Sequence, residues 1–293
     1  MSIHPTAIID KGARLGADVE VGPYSIIGGN VVLGAGCKIH HHATIMGNTE
    51  LGPECEVFPQ VALGLPPQDL KFTGEDTHLT IGGHNIFREQ VTAHPGTANG
   101  GGITRIGDHN LFLIGAHVAH DCQIGSHCVF ANFVQFGGHV HIEDHVNMGG
   151  LSAVHHFVTI GKHAFVGGMT RVSADVPPFL VVVAARGTRT EVRMVNGVGL
   201  QRCGYSSEEI SELKAAYMKL FSRRARMNGS VLRDRVQELL DSNPNKHVEY
   251  LCQFLLRSFA HGRHGRYLEA LRHDAVHRDT WKPEPNLKEA STS

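Results

Sequence analysis

The chain has 293 residues, 27 Lys and Arg against 28 Asp and Glu, and a formal net charge of −1. That balance excludes a nucleic-acid binder working through bulk positive charge. No apolar run approaches the ~20 residues needed to span a bilayer. With aromatics at 6% and 34 glycines, the expected core is small and aliphatic.

The N-terminus, MSIHPTAIIDKGARLG, has neither the basic start nor the apolar stretch of a secretory signal, so a cytoplasmic location is expected. From Ile3 onward every sixth residue is aliphatic: Ile9, Leu15, Val21, Ile27, Leu33, Ile39, Ile45, Leu51, Val57 and Leu63. The phase resumes at Ile81 and Phe87, breaks, and restarts at Ile106, running through Phe112, Val118, Ile124, Phe130, Phe136, Ile142, Met148, Val154, Ile160 and Val166 to Val172. A period of six with one large apolar residue does not fit a helix. It fits a triangular solenoid of parallel strands, three hexads per coil, each aliphatic residue pointing inward. The expected fold class is therefore mainly β, a parallel β-helix followed by a small helical domain.

Two stretches leave the hexads: 65–80, LPPQDLKFTGEDTHLT, and 94–105, HPGTANGGGITR. Both read as loops ejected from a regular coil, and such loops tend to carry function. After Val172, Pro177 and Pro178 predict the end of the solenoid, since proline removes a ladder donor. The spacing puts the β-helix over 1–186, a helical domain over 187–261 and a polar, disordered tail over 262–293. Ser206 and Glu209 form a capping-box pattern, with Tyr205 placed to staple onto Ile210. Ile210, Leu213, Tyr217, Leu220 and Phe221 mark one helical face, ended by Asn228-Gly229. Leu232, Val236, Leu239 and Leu240 predict a second helix, and Val248, Leu251, Cys252 and Leu255 a third.

With 18 residues per coil, residues 18 apart lie one above the other, their strands ~4.8 Å apart. Asp121 then sits beneath His139, Gly138 above His120, and His156 above Gly138. Counting the second insertion as seven extra residues places His94 one coil below Ala119. His94, His120, His139, His155 and His156 thus gather near one corner, with His117 on the same coil.

Three chemistries fit this cluster. Three histidines meeting across a trimer can hold zinc. Cys122, two residues after His120, is a candidate nucleophile, but Cys122 and Cys128 are one hexad apart at positions where small residues fill the prism, which reads as structural. The six cysteines, Cys37, Cys55, Cys122, Cys128, Cys203 and Cys252, include no CxxC pair, so neither a disulfide framework nor a zinc ribbon is suggested. The third chemistry is a general base, for which one neutral histidine suffices, with a backbone N–H such as that of Gly138 at the developing oxyanion.

The hexads resemble those of the hexapeptide-repeat acyltransferases over roughly residues 3–177. In that family the solenoid winds left-handed, an exception to the usual right-handed crossover. The motifs QDLK, VTAHPGT, GAHVAHDC, FGGHV, AVHHF and GLQRCGY, with the chain as far as about residue 258, resemble the acyl-[acyl-carrier-protein]–UDP-N-acetylglucosamine O-acyltransferases. That resemblance implies transfer of a 3-hydroxyacyl chain from acyl carrier protein to the glucosamine 3-hydroxyl of UDP-N-acetylglucosamine, the first step of lipid A biosynthesis, in a homotrimer with no metal or other cofactor. It implies His120 as the base, the Gly138 N–H at the oxyanion, His117 on the nucleotide sugar, and His94 and His139 shaping the site. Gln68, Asp69 and Lys71 would reach substrate from the first insertion, with Lys71 toward phosphate. His155 would hold donor or nucleotide, and Asn196 and Arg202 would bind pantetheine and diphosphate. Gly168, beside Met169, would decide acyl length, and the absence of a side chain there predicts a long chain. A basic patch of Arg223, Arg224 and Arg226 is a candidate dock for the acidic carrier.

Four positions depart from the family pattern: His156 stands for a glutamine, Arg189 for a histidine, Val198 for a glutamate and Cys203 for an arginine. They leave a 3-amine acceptor open. Other readings are a coenzyme-A-dependent acetyltransferase and a non-catalytic or metal-binding solenoid.

Overall fold

The computed structural model describes residues 1–185, 190–222, 231–260 and 265–271. Its first part is a left-handed parallel β-helix. The first three strands, β1 (Ser2–Ile3), β2 (Ile8–Ile9) and β3 (Arg14–Leu15), open three faces, and each later strand joins one of them in turn. Registers advance by one coil: Ile3 pairs with Val21, Ile9 with Ile27 and Leu15 with Leu33. The faces reach 11, 9 and 8 strands.

The hexad residue points inward as the spacing requires. Leu33, Ile45, Leu63, Phe87, Phe112 and Val172 are buried. A second buried position lies two residues before each, filled by small or medium side chains such as Val31, Cys37, Ala43, Cys122 and Cys128. Ile3, on the open first coil, is 42% exposed because nothing stacks below it.

The corners carry a regularity that the hexads do not announce. Residues 121, 127, 133, 139, 145, 151, 157, 163 and 169 all adopt left-handed backbone, with φ between 56° and 63°. Asp121 and the four histidines are of types that visit this region more readily than most besides glycine, whereas Phe133, Leu151, Phe157 and Met169 are held there by the coil. Every corner therefore fixes one side chain pointing outward or along the axis.

Both insertions leave from the second-to-third-face corner. One runs from β11 (Ala62–Leu63) to β12 (His78–Ile81), the other from β14 (Thr92–Ala93) to β15 (Ile103–Ile106). They are shorter than expected, because 78–80 and 103–105 extend strands of the third face, pairing His78 with Ile103. Ala93 pairs with Leu63 and Thr92 with His117, which fixes the coil assignment of His94 as one below Ala119.

Pro177 and Pro178 do not quite end the sheet. β27 (Leu180–Ala184) still pairs in parallel with β25 (Phe165–Val166) and turns back through β28 (Thr190–Val195). The boundary at 186/187 falls inside this hairpin. Helices follow: α1 (Gly197–Arg202), α2 (Ser207–Phe221), α3 (Leu232–Asp241), α4 (Lys246–Ala260) and α5 (Tyr267–Leu271). Ser206 and Glu209 complete the capping box of α2, and Ile210, Leu213 and Leu220 pack in a core with Val236, Leu251, Cys252 and Leu255. The short α1 has no apolar period to betray it. Arg189, the patch Arg223, Arg224 and Arg226, and Asn228-Gly229 lie outside the described residues.

The expected disordered tail from 262 is corrected at 265–271. Arg266 donates to the Ser173 carbonyl (2.8 Å), and the half-buried Asp175 accepts from the Thr159 N–H (2.8 Å), the Ser258 hydroxyl (3.0 Å) and the Tyr267 N–H (2.9 Å). Burial raises the Asp175 carboxyl, and those donors work against the shift. The helices are thus pinned to the last coil through one carboxylate, a contact too distant in sequence to read from composition.

Candidate active site

Thr92–Ala93, His117–Val118 and Gln135–Phe136 stack in register on the second face, and the chain turns the corner just after each. His94, His120 and His139 follow at that turn. His120 Nδ1 lies 2.8 Å from Asp121 Oδ2, with the Asp121 side chain fully buried and the His120 side chain 11% exposed. Burial works against the charged Asp121, but bonds from His120 and Thr97 and the nearby His139 outweigh it and hold the carboxyl below its ordinary range. An ionised carboxylate only accepts, so His120 carries its proton on Nδ1 and leaves Nε2 as the basic nitrogen.

Asp121 is itself held by the second insertion. Oδ1 accepts the Thr97 N–H (2.8 Å), Oδ2 the Thr97 hydroxyl (2.7 Å), and the Asp121 N–H donates to Thr104 Oγ1 (2.8 Å). Gly100 packs so tightly there that a Cβ would lie 2.0 Å from the carboxyl carbon. The loop therefore builds a carboxylate clamp under the histidine. Sequence reasoning missed Asp121, Thr97 and Thr104 as site residues. Consecutive strand residues point to opposite sides, which argues against pairing 120 with 121. The left-handed turn at Asp121 (φ 60°) overrides that rule.

Around the dyad, His139 stands edge-on to His120 with centroids 5.2 Å apart and stacks on Phe157 at 4.3 Å. His139 Nε2 is 3.8 Å from Asp121 Oδ2. His94 stands edge-on to His117 at 5.0 Å, and His117 Nδ1 lies 2.7 Å from Thr92 Oγ1. Burial lowers His94 from 6.5 to about 4, helped by His117 and His120, and lowers His117 as well. Both are neutral near pH 7.

Gly138 needs its missing side chain. A Cβ there would sit 2.5 Å from His120 Cε1 and 2.7 Å from Nε2, so the glycine makes room for the imidazole. The Gly138 N–H, expected at the oxyanion, donates to His156 Nδ1 at 2.9 Å. The histidine that replaces the family's glutamine is thus tied to the proposed oxyanion donor. His155, edge-on to His156, has its Nδ1 3.1 Å from the His156 carbonyl.

Cys122 is fully buried, donates to the Gly137 carbonyl (3.2 Å), and is pushed up to about 12 by burial. It is no nucleophile. Donor atoms of His120, Asp121 and His139 lie within 4.8 Å of one another, near enough for a cation. Three hydrogen bonds already occupy the Asp121 oxygens, and His120 Nδ1 faces them, so a cation there would break the dyad.

Other expected residues are not brought to His120 within one chain. Gln68 and Lys71 are exposed on the first insertion, beside Leu70 at 98% exposure, while the Asp69 carboxylate accepts the Lys71 N–H (3.0 Å). The Asn196 amide donates to the His163 carbonyl (2.9 Å), and its side-chain oxygen caps α1 by accepting the Gly199 N–H (3.2 Å). Arg202 ends α1 at the third-to-first-face corner, and Gly168 and Met169 lie at the first-to-second-face corner. Met169 is 75% exposed, and a Cβ on Gly168 would meet the Gly150 carbonyl at 3.2 Å.

Comparison with known proteins assigns the family. A bacterial transferase hexapeptide profile matches residues 103–138, and a profile described as UDP-N-acetylglucosamine O-acyltransferase, domain 2, matches residues 175–263. The chain is 54% identical over 221 residues to the acyl-[acyl-carrier-protein]–UDP-N-acetylglucosamine O-acyltransferase of Anaeromyxobacter dehalogenans, covering 75% of this chain and 85% of that one. It belongs to that acyltransferase family. The Aliarcobacter butzleri relative of the same name is 47% identical over 257 residues, covering 88% and 96%. The solved UDP-N-acetylglucosamine acyltransferase of Francisella novicida is 30% identical with a TM-score of 0.82, covering 96% of this chain and all of the other. Family membership thus spans both the hexads and the helical domain, as the motifs imply.

Proposed function

We propose that this chain moves a 3-hydroxyacyl group from acyl carrier protein to the glucosamine 3-hydroxyl of UDP-N-acetylglucosamine, the first step of lipid A biosynthesis, with His120 as general base. The observation that carries the mechanism is the His120–Asp121 dyad, built at the corner from which both insertions leave.

His120 Nε2 takes the proton of the sugar hydroxyl as its oxygen attacks the thioester carbonyl. Asp121 stabilises the imidazolium that forms and keeps the ring's second nitrogen aimed outward. The oxyanion of the tetrahedral intermediate claims the Gly138 N–H, for which His156 Nδ1 competes, so His156 turns aside as the donor arrives. The carbon–sulfur bond then breaks, and the departing thiolate of the carrier takes the proton from His120. No acyl group rests on the protein.

Completing the site takes a neighbouring copy. The dyad, the expected acyl ruler and Arg202 occupy three different corners of one prism, and corners of one prism cannot line one groove. Gln68, Lys71 and the exposed Leu70 point out of their own chain's body. In a cyclic trimer each copy meets two neighbours, so different corners of adjacent copies face one another and close three equal sites. No helix among the described residues is long and apolar enough to cross a membrane, consistent with a cytoplasmic enzyme working on soluble substrates.

The test is a mass-spectrometric assay with UDP-N-acetylglucosamine, its 3-amino analogue and carrier proteins bearing several chain lengths, alongside light scattering. Acylation of the 3-hydroxyl by a long 3-hydroxyacyl chain, from a trimer, is expected. Each buried methylene is worth ~0.8 kcal/mol, so an open groove over Gly168 favours four extra carbons by ~3 kcal/mol. Gly168→Met should shift the profile to shorter chains, and an unaltered profile rules out Gly168 as the ruler. A monomer at micromolar concentration, or product only with the amino analogue, overturns the corresponding part of the reading.

A further inference from the structure

A second set of histidines climbs the third-to-first-face corner. His84, His109, His127, His145 and His163 take one corner each on successive coils, all left-handed, with φ from 56° to 59°. Their rings stack nearly parallel at 4.6–4.9 Å, with interplanar angles of 7° or less. The lower three are exposed, His145 is half-buried and His163 is buried beneath the helical domain. At the top, Cys203, the residue that ends α1, brings its Sγ to 3.9 Å from His145 Nδ1. Of the six cysteines it alone is exposed; the other five are buried.

We propose that His145, His163 and Cys203 form a binding site for a thiophilic divalent cation of the zinc class, which ties the helical domain to the β-helix. One ligand atom from each lies within 4.8 Å of the other two. Tetrahedral zinc with one sulfur at ~2.3 Å and two nitrogens at ~2.0 Å sets donors about 3.3–3.6 Å apart. The Cys203–His145 separation is within a few tenths of that and closes by rotation of the exposed Cys203 thiol, while the His145 and His163 rings, stacked 4.6 Å apart, turn about their side-chain torsions to converge on one ion. Water fills the fourth position.

The donor set suits such an ion. One thiolate and two imidazoles favour zinc over magnesium or calcium, which take oxygen ligands. Imidazoles must be neutral to coordinate. Burial lowers His163 from 6.5 to about 4, with His145 and Lys162 adding to the effect, and burial lowers His145 too. Neither ring must give up a proton near pH 7. Cys203 does, releasing one proton to solvent as the metal–sulfur bond forms. His145 and His163 are also oriented from outside: His145 by its stack on His127, and His163 by edge-on contact with Tyr205 at 5.1 Å. Within one chain the site is on a different corner from His120, and metal binding there is read without any acyl-transfer assay.

Cobalt(II) is the probe, added to the full-length, chelator-stripped protein kept reduced with a phosphine. Expected are one equivalent per chain, visible bands of tetrahedral intensity and a near-ultraviolet sulfur-to-cobalt charge-transfer band, all displaced by zinc. The band reports thiolate ligation, which the His120, Asp121 and His139 cluster cannot give because it has no sulfur. It should persist in His120→Ala and vanish in Cys203→Ser, with affinity for the ion falling at least about tenfold. His145→Ala serves as a second variant and should also lose it. Circular dichroism of the metal-free variants checks their fold; Cys203→Ser, altered at an exposed position, should match the unmutated chain. Absence of the band, or its survival in Cys203→Ser or His145→Ala, overturns the proposal.

Discussion

Two corners of one prism carry columns of histidine, and they have been built for different ends. At the third-to-first-face corner the rings are parallel, stacked one per coil and largely exposed. At the second-to-third-face corner His120 and His139 are perpendicular, as are His94 and His117, and a buried carboxylate sits among them. Residue type and coil geometry are the same at both. What differs is the interruption of the repeat. Where the hexads run unbroken, each turn copies the one below and the histidines stack. Where two insertions leave the coil, Thr97 and Gly100 come in to clamp Asp121, and the stacking is replaced by a directed hydrogen bond. In a solenoid, chemistry sits where the repeat is broken.

The largest expected effect separates the corners outright. His120→Ala should lower kcat by about 10²–10⁴-fold, the range a general base contributes. Asp121→Asn keeps the shape but offers the ring a different partner, so it should lose a smaller but still large share of the same rate. Steady-state kinetics with KM little changed would support both roles. Activity near normal in His120→Ala would remove the distinction between the corners.

Next comes the glycine over the base. Gly138→Ala puts a methyl 2.5 Å from His120 Cε1, so the ring must move. A displacement of about 1 Å in a catalytic group costs on the order of 10²-fold. The loss should appear in kcat with overall stability little affected, as read by thermal unfolding. Unchanged kcat would mean that the observed ring position is not the working one.

The fold and part of this site were legible because a solenoid converts sequence distance into spatial distance. Stepping by 18 placed Gly138 over His120 and His156 over Gly138, and the structure agrees in register. The seven-residue excess of the second insertion placed His94 correctly for the same reason. The rule speaks only of backbone stacking, however. It is silent on the left-handed turn that folds Asp121 back onto His120, and on the loop threonines that hold it. It is equally silent on Asn196, whose amide is spent on the His163 carbonyl, and on the Cys203–His145 approach, since both cross between domains. The spacing of His109, His127, His145 and His163 is as plain in the sequence as that of the active corner; spacing alone does not distinguish a stack from a site.

Acid should sharpen the comparison through His94. In the unfolded chain it binds a proton near pH 6.5, but in the folded chain only near pH 4. Between those values the unfolded state carries more protons, so stability is full above pH 6.5 and is lost as pH falls toward 4. The shift corresponds to about 3 kcal/mol. Urea unfolding in chelator at a series of pH values should show the decline, and His94→Gln should flatten it. An equally steep decline in His94→Gln would assign the acid sensitivity to other groups.

The smallest expected effect belongs to the exposed stack. His127 lies between His109 and His145, 4.9 and 4.8 Å from them, with φ 59°. His127→Asn is the informative change, because asparagine also tolerates left-handed backbone, whereas alanine would add a conformational cost to the loss of the ring. What remains is the stacking energy of two solvated ring pairs, at about 0.5–1.5 kcal/mol for a well-placed pair and less in water. We expect a stability change below about 1 kcal/mol and kcat/KM within twofold of the unmutated chain, a margin of about 0.4 kcal/mol in barrier. Nothing in the stack touches the dyad, so the rate has no route by which to respond. A loss of tenfold or more in kcat/KM, with the fold intact, would show that the unbroken corner shares in the chemistry and that interruption of the repeat is not what sets the two apart.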